Sequence, residues 1–309
     1  MALLLQTDPM PAEYFLGALK RLAPEEAIWT TLEDARLDEV EALLTWRLEP
    51  SILPRLPALK LVSSMGAGVD QILSVSTLAP GVAVTRIVDS LQTLSMTQYV
   101  LLMALRHIRD LPRLEENHGR AQWLRTPPPQ PCQAIVAVLG LGAIGSIVAA
   151  GLVNAGFKVV GWSRRMKQIP KVTSYIGDDG LFECVAQANI IVGLLPSTAD
   201  TVGLMNGRLL ARARPGAYVI NAGRGDQLVE QDFVALVRAG HLSGGALDVA
   251  SIEPLPGDHP LWQLPGVLIT PHCAAEPSVN AIAEQVLGNL ERVRRGEVPL
   301  HAVDRSQGY

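Results

Sequence analysis

The stretch from Ile135 to Val153 constrains the fold of this chain more than any other feature. It reads IVAVLGLGAIGSIVAAGLV and is apolar apart from Ser146. Its length reaches the roughly 18 residues that a membrane-spanning helix needs. However, four glycines interrupt it, and β-branched residues are frequent in its first part. The pattern therefore predicts a buried strand, a glycine turn and a helix rather than a membrane span.

The glycines of this turn have the spacing of a phosphate-binding loop. In Gly140-Leu-Gly142-Ala-Ile-Gly145, the first glycine permits the tight turn and the second lets the backbone approach a pyrophosphate. The third allows close packing of the helix on the strand, and the start of the helix offers free N–H groups to the anion. Because the motif follows a predicted strand and opens a predicted helix, it indicates a dinucleotide-binding site. The alternative is a glycine-rich turn that binds nothing.

The end of the second predicted strand favours a phosphorylated dinucleotide. About 20 residues after the glycines, a chain that binds NAD carries Asp or Glu, which hydrogen-bonds the ribose hydroxyls. This chain has Ser163 at that place, followed by Arg164 and Arg165. Guanidinium groups bind a 2′-phosphate through charge-assisted hydrogen bonds, whereas a carboxylate repels it. We therefore predict NADP(H) as the cofactor, and a solvated basic loop is the alternative.

Composition argues against several classes of function. The 309 residues carry a formal charge of −4 and only 5% are aromatic, which is atypical of a protein that binds nucleic acid. Cys132, Cys184 and Cys273 are widely spaced and form no CxxC pair, so we expect neither a disulfide framework nor a metal site. The apolar run at the N-terminus is too short for a signal peptide. These features predict a cytoplasmic protein that binds neither nucleic acid nor membrane.

Short apolar runs alternate with helical patterns, as parallel sheets with helical crossovers require. In the first part of the chain, strands are predicted at Ala2–Leu5, Ala42–Trp46, Leu61–Ser64 and Val82–Arg86. Six more are predicted at Ile135–Leu139, Lys158–Trp162, Ile190–Leu194, Ala217–Asn221, Gly245–Asp248 and Val267–Thr270. Helices are predicted at Ser95–Glu116, Val229–Arg238 and Ser278–Arg295, with a proline-rich linker at Thr126–Pro131. The second set of strands matches a doubly wound sheet.

Three charged or titratable side chains each follow a predicted strand of the second set. They are Arg224 in NAGRG, Glu253 in DVASIEPL and His272 in TPHCAA. Because open α/β sheets bind their ligands at the carboxyl ends of the strands, we treat these residues as candidate catalytic groups. Taken singly, each has an ordinary alternative as a surface arginine, a loop glutamate or a histidine at the edge of the core.

Taken together, the motifs resemble the D-isomer-specific 2-hydroxyacid dehydrogenase family over essentially the whole chain. The matching segments, in order, are Gly66-Ala-Gly-Val-Asp70, the GLGAIG turn, NAGRG, ALDV followed by EPLP, and PHCAA. Within the family, the glyoxylate/hydroxypyruvate reductase A group is the most similar, through Trp46, Ser163–Arg165, Leu194–Pro196 and the tail Gly308–Tyr309. The chain departs from the usual pattern at Gly223, where Ala is usual, and at Cys273, where Val is common.

The resemblance implies a role for each candidate catalytic residue. His272 would be the general acid that protonates the carbonyl oxygen of a 2-oxo acid as hydride arrives. Glu253 would hydrogen-bond its other ring nitrogen, orient the ring and favour the imidazolium. Arg224 would contact both the carboxylate and the 2-oxo oxygen of the substrate. A covalent role for Cys273 is disfavoured, because carbonyl reduction needs no nucleophile.

The resemblance also implies contacts to substrate and cofactor. The backbone N–H groups of Ala67 and Gly68 would hold the substrate carboxylate, unless this segment is an ordinary turn between a strand and a helix. Trp46 would limit substrate size, or it belongs to the core. The cofactor contacts would be Gly140, Gly142, Ala143, Ile144, Gly145, Ser163, Arg164, Arg165, Leu195, Pro196, Thr201, Ala222, Gly223, Asp248, His272 and Ala274.

The resemblance implies an α/β fold of two Rossmann-like parallel-sheet domains with a cleft between them. The flavodoxin-like catalytic domain would comprise residues 1–96 and 281–309, and the doubly wound dinucleotide-binding domain residues 97–280. Family members are usually two-fold dimers, so we expect a homodimer with the helix at Ser95–Glu116 as its seam. The expected reaction is NADPH-dependent reduction of glyoxylate to glycolate and of hydroxypyruvate to D-glycerate. The alternatives are a reductase of bulkier 2-oxo acids and a non-catalytic, NADP-sensing corepressor-like protein.

Overall fold

The computed structural model describes residues 2–33, 36–125, 127 and 130–305. These residues divide into two compact units, one of Met1–Gln92 with Glu276–Tyr309 and the other of Thr93–Ala275. The boundaries between the units fall after residues 92 and 275, a few residues before the predicted domain boundaries at 96 and 280. The tail Gly308–Tyr309 and three residues of the predicted linker (126, 128 and 129) lie outside the described residues.

The secondary structure alternates strands and helices along most of the chain. The strands are β1 (Ala2–Gln6), β2 (Ala27–Trp29), β3 (Val40–Thr45), β4 (Leu61–Ser64), β5 (Ala83–Thr85), β6 (Ile135–Leu139), β7 (Lys158–Trp162), β8 (Val172–Tyr175), β9 (Ile190–Gly193), β10 (Ala217–Asn221), β11 (Leu242–Leu247) and β12 (Val267–Ile269). The helices are α1 (Glu13–Leu22), α2 (Asp70–Leu73), α3 (Ser90–Ile108), α4 (Leu111–Gly119), α5 (Ala143–Asn154), α6 (Gly177–Ala186), α7 (Gly207–Leu210), α8 (Glu230–Arg238) and α9 (Val279–Arg294).

The first unit is built on a five-stranded parallel sheet in the order β2-β1-β3-β4-β5. This is the flavodoxin-like order of a doubly wound sheet. Alternate residues of β1 enter different cores, with Leu3 and Leu5 packing beside α1 and α9, and Leu4 packing on the opposite face. Both faces are buried, which explains why this strand has a continuous apolar sequence instead of an alternating one.

The second unit is built on a seven-stranded parallel sheet in the order β12-β11-β10-β9-β6-β7-β8. The expected fold class of two parallel-sheet α/β domains is confirmed. The prediction of six strands in this sheet was wrong, because it missed the edge strand β8. Residues Thr173 and Ser174 make β8 polar, and none of its residues is buried, so it lacks the apolar run that marks interior strands. The edge strand β2 of the first sheet was missed as well, and its residues are only partly buried.

The long helix predicted at Ser95–Glu116 is two helices, α3 and α4, so that prediction was also wrong. The break falls at Asp110, which has a φ of +53°. Pro112 lies in the first turn of α4, where proline is accepted because the N–H groups there have no partner in the helix. In a continuous helix, its ring would clash with the carbonyl of Ile108, four residues earlier. The apolar pattern continues across Asp110, so the sequence pattern did not indicate the break between the two helices.

The apolar stretch that opened the sequence analysis forms β6, the glycine turn and α5, as predicted. Among the described residues, no helix has the length and apolar character needed to span a membrane. The final helix, α9, begins where predicted, because the Ser278 hydroxyl accepts a hydrogen bond from the backbone N–H of Ala281 and so caps the helix.

Candidate active site

The glycine turn lies where the chain order of the second sheet reverses. Strand β6 pairs with β7 on one side and β9 on the other, and ligands of open α/β sheets bind at such a switch point. Gly140 has a φ of +107°, and a Cβ there would lie 2.7 Å from the Leu194 carbonyl oxygen. Only glycine therefore allows the loops after β6 and β9 to approach this closely.

The N-terminus of α5 has the chemistry that a pyrophosphate requires. Gly142 and Ala143 are exposed, Ile144 is partly exposed and Gly145 is buried. Within the described chain, no side chain caps this helix, so its first N–H groups are available to an anion. The predicted pyrophosphate contacts are thus placed together on a surface that a dinucleotide could occupy.

The loop after β7 carries the two predicted arginines. Ser163 is only 7% exposed, and its hydroxyl donates to the Arg165 carbonyl oxygen at 2.8 Å. This bond shapes the turn, while the side chains of Arg164 and Arg165 are exposed. The loop therefore presents positive charge and has no carboxylate at position 163 that would repel a 2′-phosphate.

Two predicted cofactor loops are tied together by a residue that sequence analysis missed. Gln227 is fully buried, and its amide nitrogen donates to the carbonyl oxygens of Leu195 and Pro196 at 2.7 and 2.9 Å. The Thr201 hydroxyl also donates to the Pro196 oxygen, at 2.6 Å. Gln227 lies two positions after NAGRG, and because Arg224 and Asp226 are close to it in the sequence, no local pattern marked it as buried. A Cβ at Gly223 would lie 3.0 Å from Gln227 Oε1, so the unusual glycine leaves room for this link.

His272 and Glu253 form a hydrogen-bonded pair. The Nδ1 atom of His272 lies 2.8 Å from Glu253 Oε2, and the two side chains are 30% and 38% exposed. Glu253 Oε1 accepts the N–H of Ala250 at 3.0 Å. Partial burial acts to raise the pKa of Glu253, but the His272 and Ala250 hydrogen bonds and the positive charge of Arg224 outweigh it, so the pKa lies below its usual value. Glu253 is therefore an ionised partner for His272 at neutral pH.

Arg224 is close enough to Glu253 to affect its pKa electrostatically. The loops that carry these residues are in direct contact, since a Cβ at Gly225 would lie 1.9 Å from the Ala250 carbonyl oxygen. The Arg224 backbone is held by Asn221, whose side-chain amide donates to its carbonyl oxygen at 3.0 Å. Arg224, Glu253 and His272 follow β10, β11 and β12, which are neighbours in the sheet. The structure thus brings together the three predicted catalytic residues.

The carboxylate of Asp248, a predicted cofactor contact, is engaged by the protein. It is 3% exposed, and its two oxygens accept the Thr270 hydroxyl and the N–H groups of Cys273 and Ala274. Ala274 is likewise buried, and Ala222 is 7% exposed. Asp248 therefore fixes the loop that carries His272, a role that its motif alone did not reveal.

The predicted substrate residues Trp46, Ala67 and Gly68 lie in the first unit. Trp46 follows β3 directly, is partly buried against the core and contacts Gly66. The Ser64 hydroxyl accepts the Gly66 N–H at 3.2 Å and donates to the Gly68 carbonyl oxygen at 2.6 Å. Ala67 and Gly68 are partly exposed. In the described part of the chain, no group of three or more His, Cys, Asp or Glu side chains is arranged to hold a metal ion.

Comparisons with known proteins identify the family of this chain. The family model for the NAD-binding domain of D-isomer specific 2-hydroxyacid dehydrogenases matches residues 101–274. A glyoxylate/hydroxypyruvate reductase A from Serratia proteamaculans is 35% identical over 305 residues, which cover 96% of each chain. The same-named protein from Yersinia enterocolitica is 36% identical over 271 residues, covering 86% of this chain and 87% of that one.

Solved structures of similar proteins match the whole chain. A D-isomer specific 2-hydroxyacid dehydrogenase from Xanthobacter autotrophicus, in complex with NADPH and MES, has a TM-score of 0.92 and 35% identity, covering 100% of this chain and 99% of that one. An NADPH-dependent glyoxylate/hydroxypyruvate reductase from Sinorhizobium meliloti, in complex with NADP and sulfate, has a TM-score of 0.93, 32% identity and the same coverage. The resemblance seen in the sequence is confirmed, and the chain belongs to the D-isomer specific 2-hydroxyacid dehydrogenase family.

Proposed function

We propose that this protein is an NADPH-dependent reductase of small 2-oxo acids, which converts glyoxylate to glycolate and hydroxypyruvate to D-glycerate. The observation that carries the proposal is the His272–Glu253 hydrogen bond beside Arg224, at the carboxyl ends of three neighbouring strands. The names of the Serratia, Yersinia and Sinorhizobium proteins support the choice of substrates and cofactor.

The residues of the second unit fit NADP(H). The N–H groups at the start of α5 would hold the pyrophosphate, and Arg164 and Arg165 would hold the 2′-phosphate. When bound, NADPH supplies the hydride that reduces the carbonyl carbon. The protein has to bind the 2-oxo acid in a fixed orientation and deliver a proton to its oxygen.

His272 would deliver that proton. Because Nδ1 is hydrogen-bonded to Glu253, Nε2 is the ring nitrogen left to donate to the carbonyl oxygen. The ionised Glu253 carboxylate would orient the ring for this donation. The Arg224 guanidinium would bind the substrate carboxylate and stabilise negative charge as it develops on the carbonyl oxygen.

For the first unit, we propose that the N–H groups of Ala67 and Gly68 bind the substrate carboxylate and that Trp46 limits substrate size. The two hydrogen bonds of Ser64 support this assignment, since they fix the turn from Gly66 to Gly68. We also propose that the two domains have their predicted roles, that the protein is a homodimer and that it is located in the cytoplasm. Light scattering of the purified protein and fractionation of its native cell test the last two.

A panel of 2-oxo acids assayed with NADPH and with NADH tests the function directly. We expect the highest kcat/KM with NADPH and either glyoxylate or hydroxypyruvate. A clear preference for 2-oxo acids with larger side chains would identify a reductase of bulkier substrates. NADPH binding, measured by quenching of tryptophan fluorescence, without turnover of any 2-oxo acid would contradict the proposal and favour a cofactor-sensing role.

A further inference from the structure

The loop that carries His272 has a strained backbone. The φ of His272 is +53°, in the left-handed region where a Cβ atom comes too close to the carbonyl oxygen. Such a conformation persists only where neighbouring contacts hold it. The contacts that hold this loop therefore determine whether the His272 imidazole is oriented for proton transfer.

Asp248 binds three consecutive N–H groups of the loop. The N–H of His272 donates to the Asp248 carbonyl oxygen at 2.8 Å. The N–H groups of Cys273 and Ala274 donate to its carboxylate oxygens at 3.0 and 2.9 Å. Because Asp248 is buried, water cannot easily replace a bond that is lost here. Asp248 therefore holds the chain at His272 through its carbonyl oxygen and at the next two residues through its carboxylate.

The orientation of the carboxylate depends in turn on two hydroxyl groups. Thr270 Oγ1 donates to Asp248 Oδ1 at 2.6 Å, and the Tyr99 hydroxyl lies 2.8 Å from the same Thr270 oxygen. A hydroxyl has only one proton to donate. Since Thr270 gives its proton to the carboxylate, the bond between the two hydroxyls must run from Tyr99 to Thr270. The hydrogen bonds thus have one direction, from Tyr99 through Thr270 to Asp248.

Tyr99 is well placed to act as a fixed donor. It lies on α3, 171 positions from Thr270 in the sequence, and its ring packs in the core of the second unit beside Val100 and Met103. It is 9% exposed, and burial raises the pKa of its hydroxyl, which therefore keeps its proton over the working pH range. A rigid core side chain thus ends in a donor that is aimed at the active-site loop.

We propose that Tyr99 is a positioning residue for His272, whose hydroxyl acts through Thr270 and Asp248 to hold the loop in its reactive conformation. This inference rests on the proposed function, in which His272 donates the proton. It assigns to α3 a part in the reaction that is separate from packing. It also accounts for a buried tyrosine hydroxyl, which an apolar core would otherwise not require.

Tyr99→Phe is the main test, because it removes one hydroxyl and leaves the ring in the core. We expect kcat for glyoxylate to fall about tenfold, since a small displacement of a catalytic group costs up to ~10²-fold in rate, while the KM for NADPH stays unchanged. Backbone hydrogen exchange in a peptide covering residues 268–275 should become faster. The matched control is Tyr218→Phe. Tyr218 belongs to the same buried cluster, but its hydroxyl bonds Arg106, so kcat and exchange should not change.

Substitutions at Thr270 separate positioning from stability. Thr270→Val keeps the shape but removes the hydroxyl that links Tyr99 to Asp248, and we expect a larger loss of kcat than in Tyr99→Phe. Thr270→Ser keeps the hydroxyl and should restore most of the activity. A merely structural role would lower Tm in Thr270→Val and leave kcat unchanged, and that result would overturn the inference.

The exchange measurement distinguishes failure of this inference from failure of the proposed function. If the wild type turns over no 2-oxo acid, the proposed function is wrong. Faster hydrogen exchange at residues 268–275 in Tyr99→Phe would still show that the Tyr99 hydroxyl stabilises the loop. Unchanged exchange in Tyr99→Phe would overturn the inference at any level of activity. Faster exchange with an unchanged kcat would also overturn the positioning role.

Discussion

The Nδ1 atom of His272 lies 2.8 Å from the carboxylate oxygen Oε2 of Glu253, although 19 positions separate the residues in the sequence. This bond orients the imidazole, and in the proposed function Nε2 would be the nitrogen that donates to the substrate. Each partner is also held by a further hydrogen bond: the backbone N–H of His272 donates to the Asp248 carbonyl oxygen, and the Glu253 carboxylate accepts the Ala250 N–H. In the proposed function, the pair would be a preorganised proton donor, in which little rearrangement is needed before reaction.

Replacing the imidazole should remove the proton donor and leave cofactor binding intact. We expect His272→Asn to lower kcat for glyoxylate reduction by roughly 10²–10⁴, the usual range for lost general acid catalysis. Steady-state kinetics measure kcat, and NADPH fluorescence titration checks that the cofactor still binds. A variant that retains more than a tenth of the wild-type kcat, with chemistry rate-limiting, would exclude His272 as the general acid.

The rate of reduction should depend on pH through the His272–Glu253 pair. Reduction of a 2-oxo acid by NADPH consumes one proton, so kcat/KM for reduction should fall as the pH rises, while oxidation of the hydroxy acid should improve. Hydrogen bonds from His272 and Ala250 and the charge of Arg224 hold the pKa of Glu253 below its usual value, against the opposing effect of burial. The carboxylate therefore stays ionised until the pH falls through that lowered pKa. Glu253→Gln removes this negative charge beside the imidazole and should change the pH profile of kcat/KM; identical profiles for the two proteins would refute the coupling.

Arg224 should contribute to both substrate binding and catalysis. Arg224→Ala removes a charged hydrogen-bond donor worth about 1.5–3 kcal/mol, which corresponds to about 10- to 150-fold in KM for the 2-oxo acid. We expect kcat to fall as well, because the guanidinium also stabilises charge in the transition state. Arg208→Ala is the control, since Arg208 is an exposed arginine stacked over Phe182, 5.1 Å from its ring centroid. Equal effects of the two substitutions would show that Arg224 acts only through net charge.

The choice between the two cofactors should depend on the loop after β7. Arg164→Ala should raise the KM for NADPH about fivefold, since charged contacts at an exposed site are worth about 1 kcal/mol, and leave the KM for NADH unchanged. Arg164→Ala/Arg165→Ala should have a larger effect, because two guanidinium groups are removed. Initial-rate kinetics with both cofactors measure the ratio of the KM for NADPH to the KM for NADH. If the double substitution does not change this ratio, the 2′-phosphate does not bind at Arg164 and Arg165.

The folding stability should depend on pH through His107. Its ring stacks on Tyr218 with 4.4 Å between centroids, and burial, partly opposed by Asp110, lowers its pKa to about 4. The unfolded chain takes up this proton near pH 6.5, so the unfolded state is favoured as the pH falls from about 6.5 towards 4. The loss can reach about 3 kcal/mol at 1.36 kcal/mol per pKa unit.

His107→Phe tests this, because phenylalanine keeps the stacked ring and cannot titrate. Thermal unfolding from pH 7.5 to 4.5 should show a steeper fall of Tm for the wild type than for the variant. At pH 7.5 the His107 ring is neutral in both the folded and the unfolded chain, so the Tm values of the two proteins should differ little. Parallel curves over the whole range would mean that His107 is protonated in the folded protein without cost.

Much of this fold could be predicted from local sequence. Glycine spacing and continuous apolar runs identified β6, the turn at Gly140 and α5. A tight turn needs glycine at a particular position, and a strand that is buried on both faces needs a continuous apolar run. The order of the motifs identified the family. The edge strands β2 and β8 could not be found in this way. Strand β8 forms through its pairing with β7 and has no apolar run of its own, whereas β2 is apolar but only three residues long.

The active site was only partly predictable. The sequence by itself determined which residues are candidates for proton transfer, anion binding and cofactor selection, because their side-chain chemistry is independent of the fold. The family resemblance implied the bond between Glu253 and His272, but only the tertiary structure decided that Gln227 links two predicted cofactor loops and that Tyr99 reaches Thr270 across 171 positions. These contacts join residues far apart in the chain, and their geometry follows from how strands and helices pack, which no local pattern records.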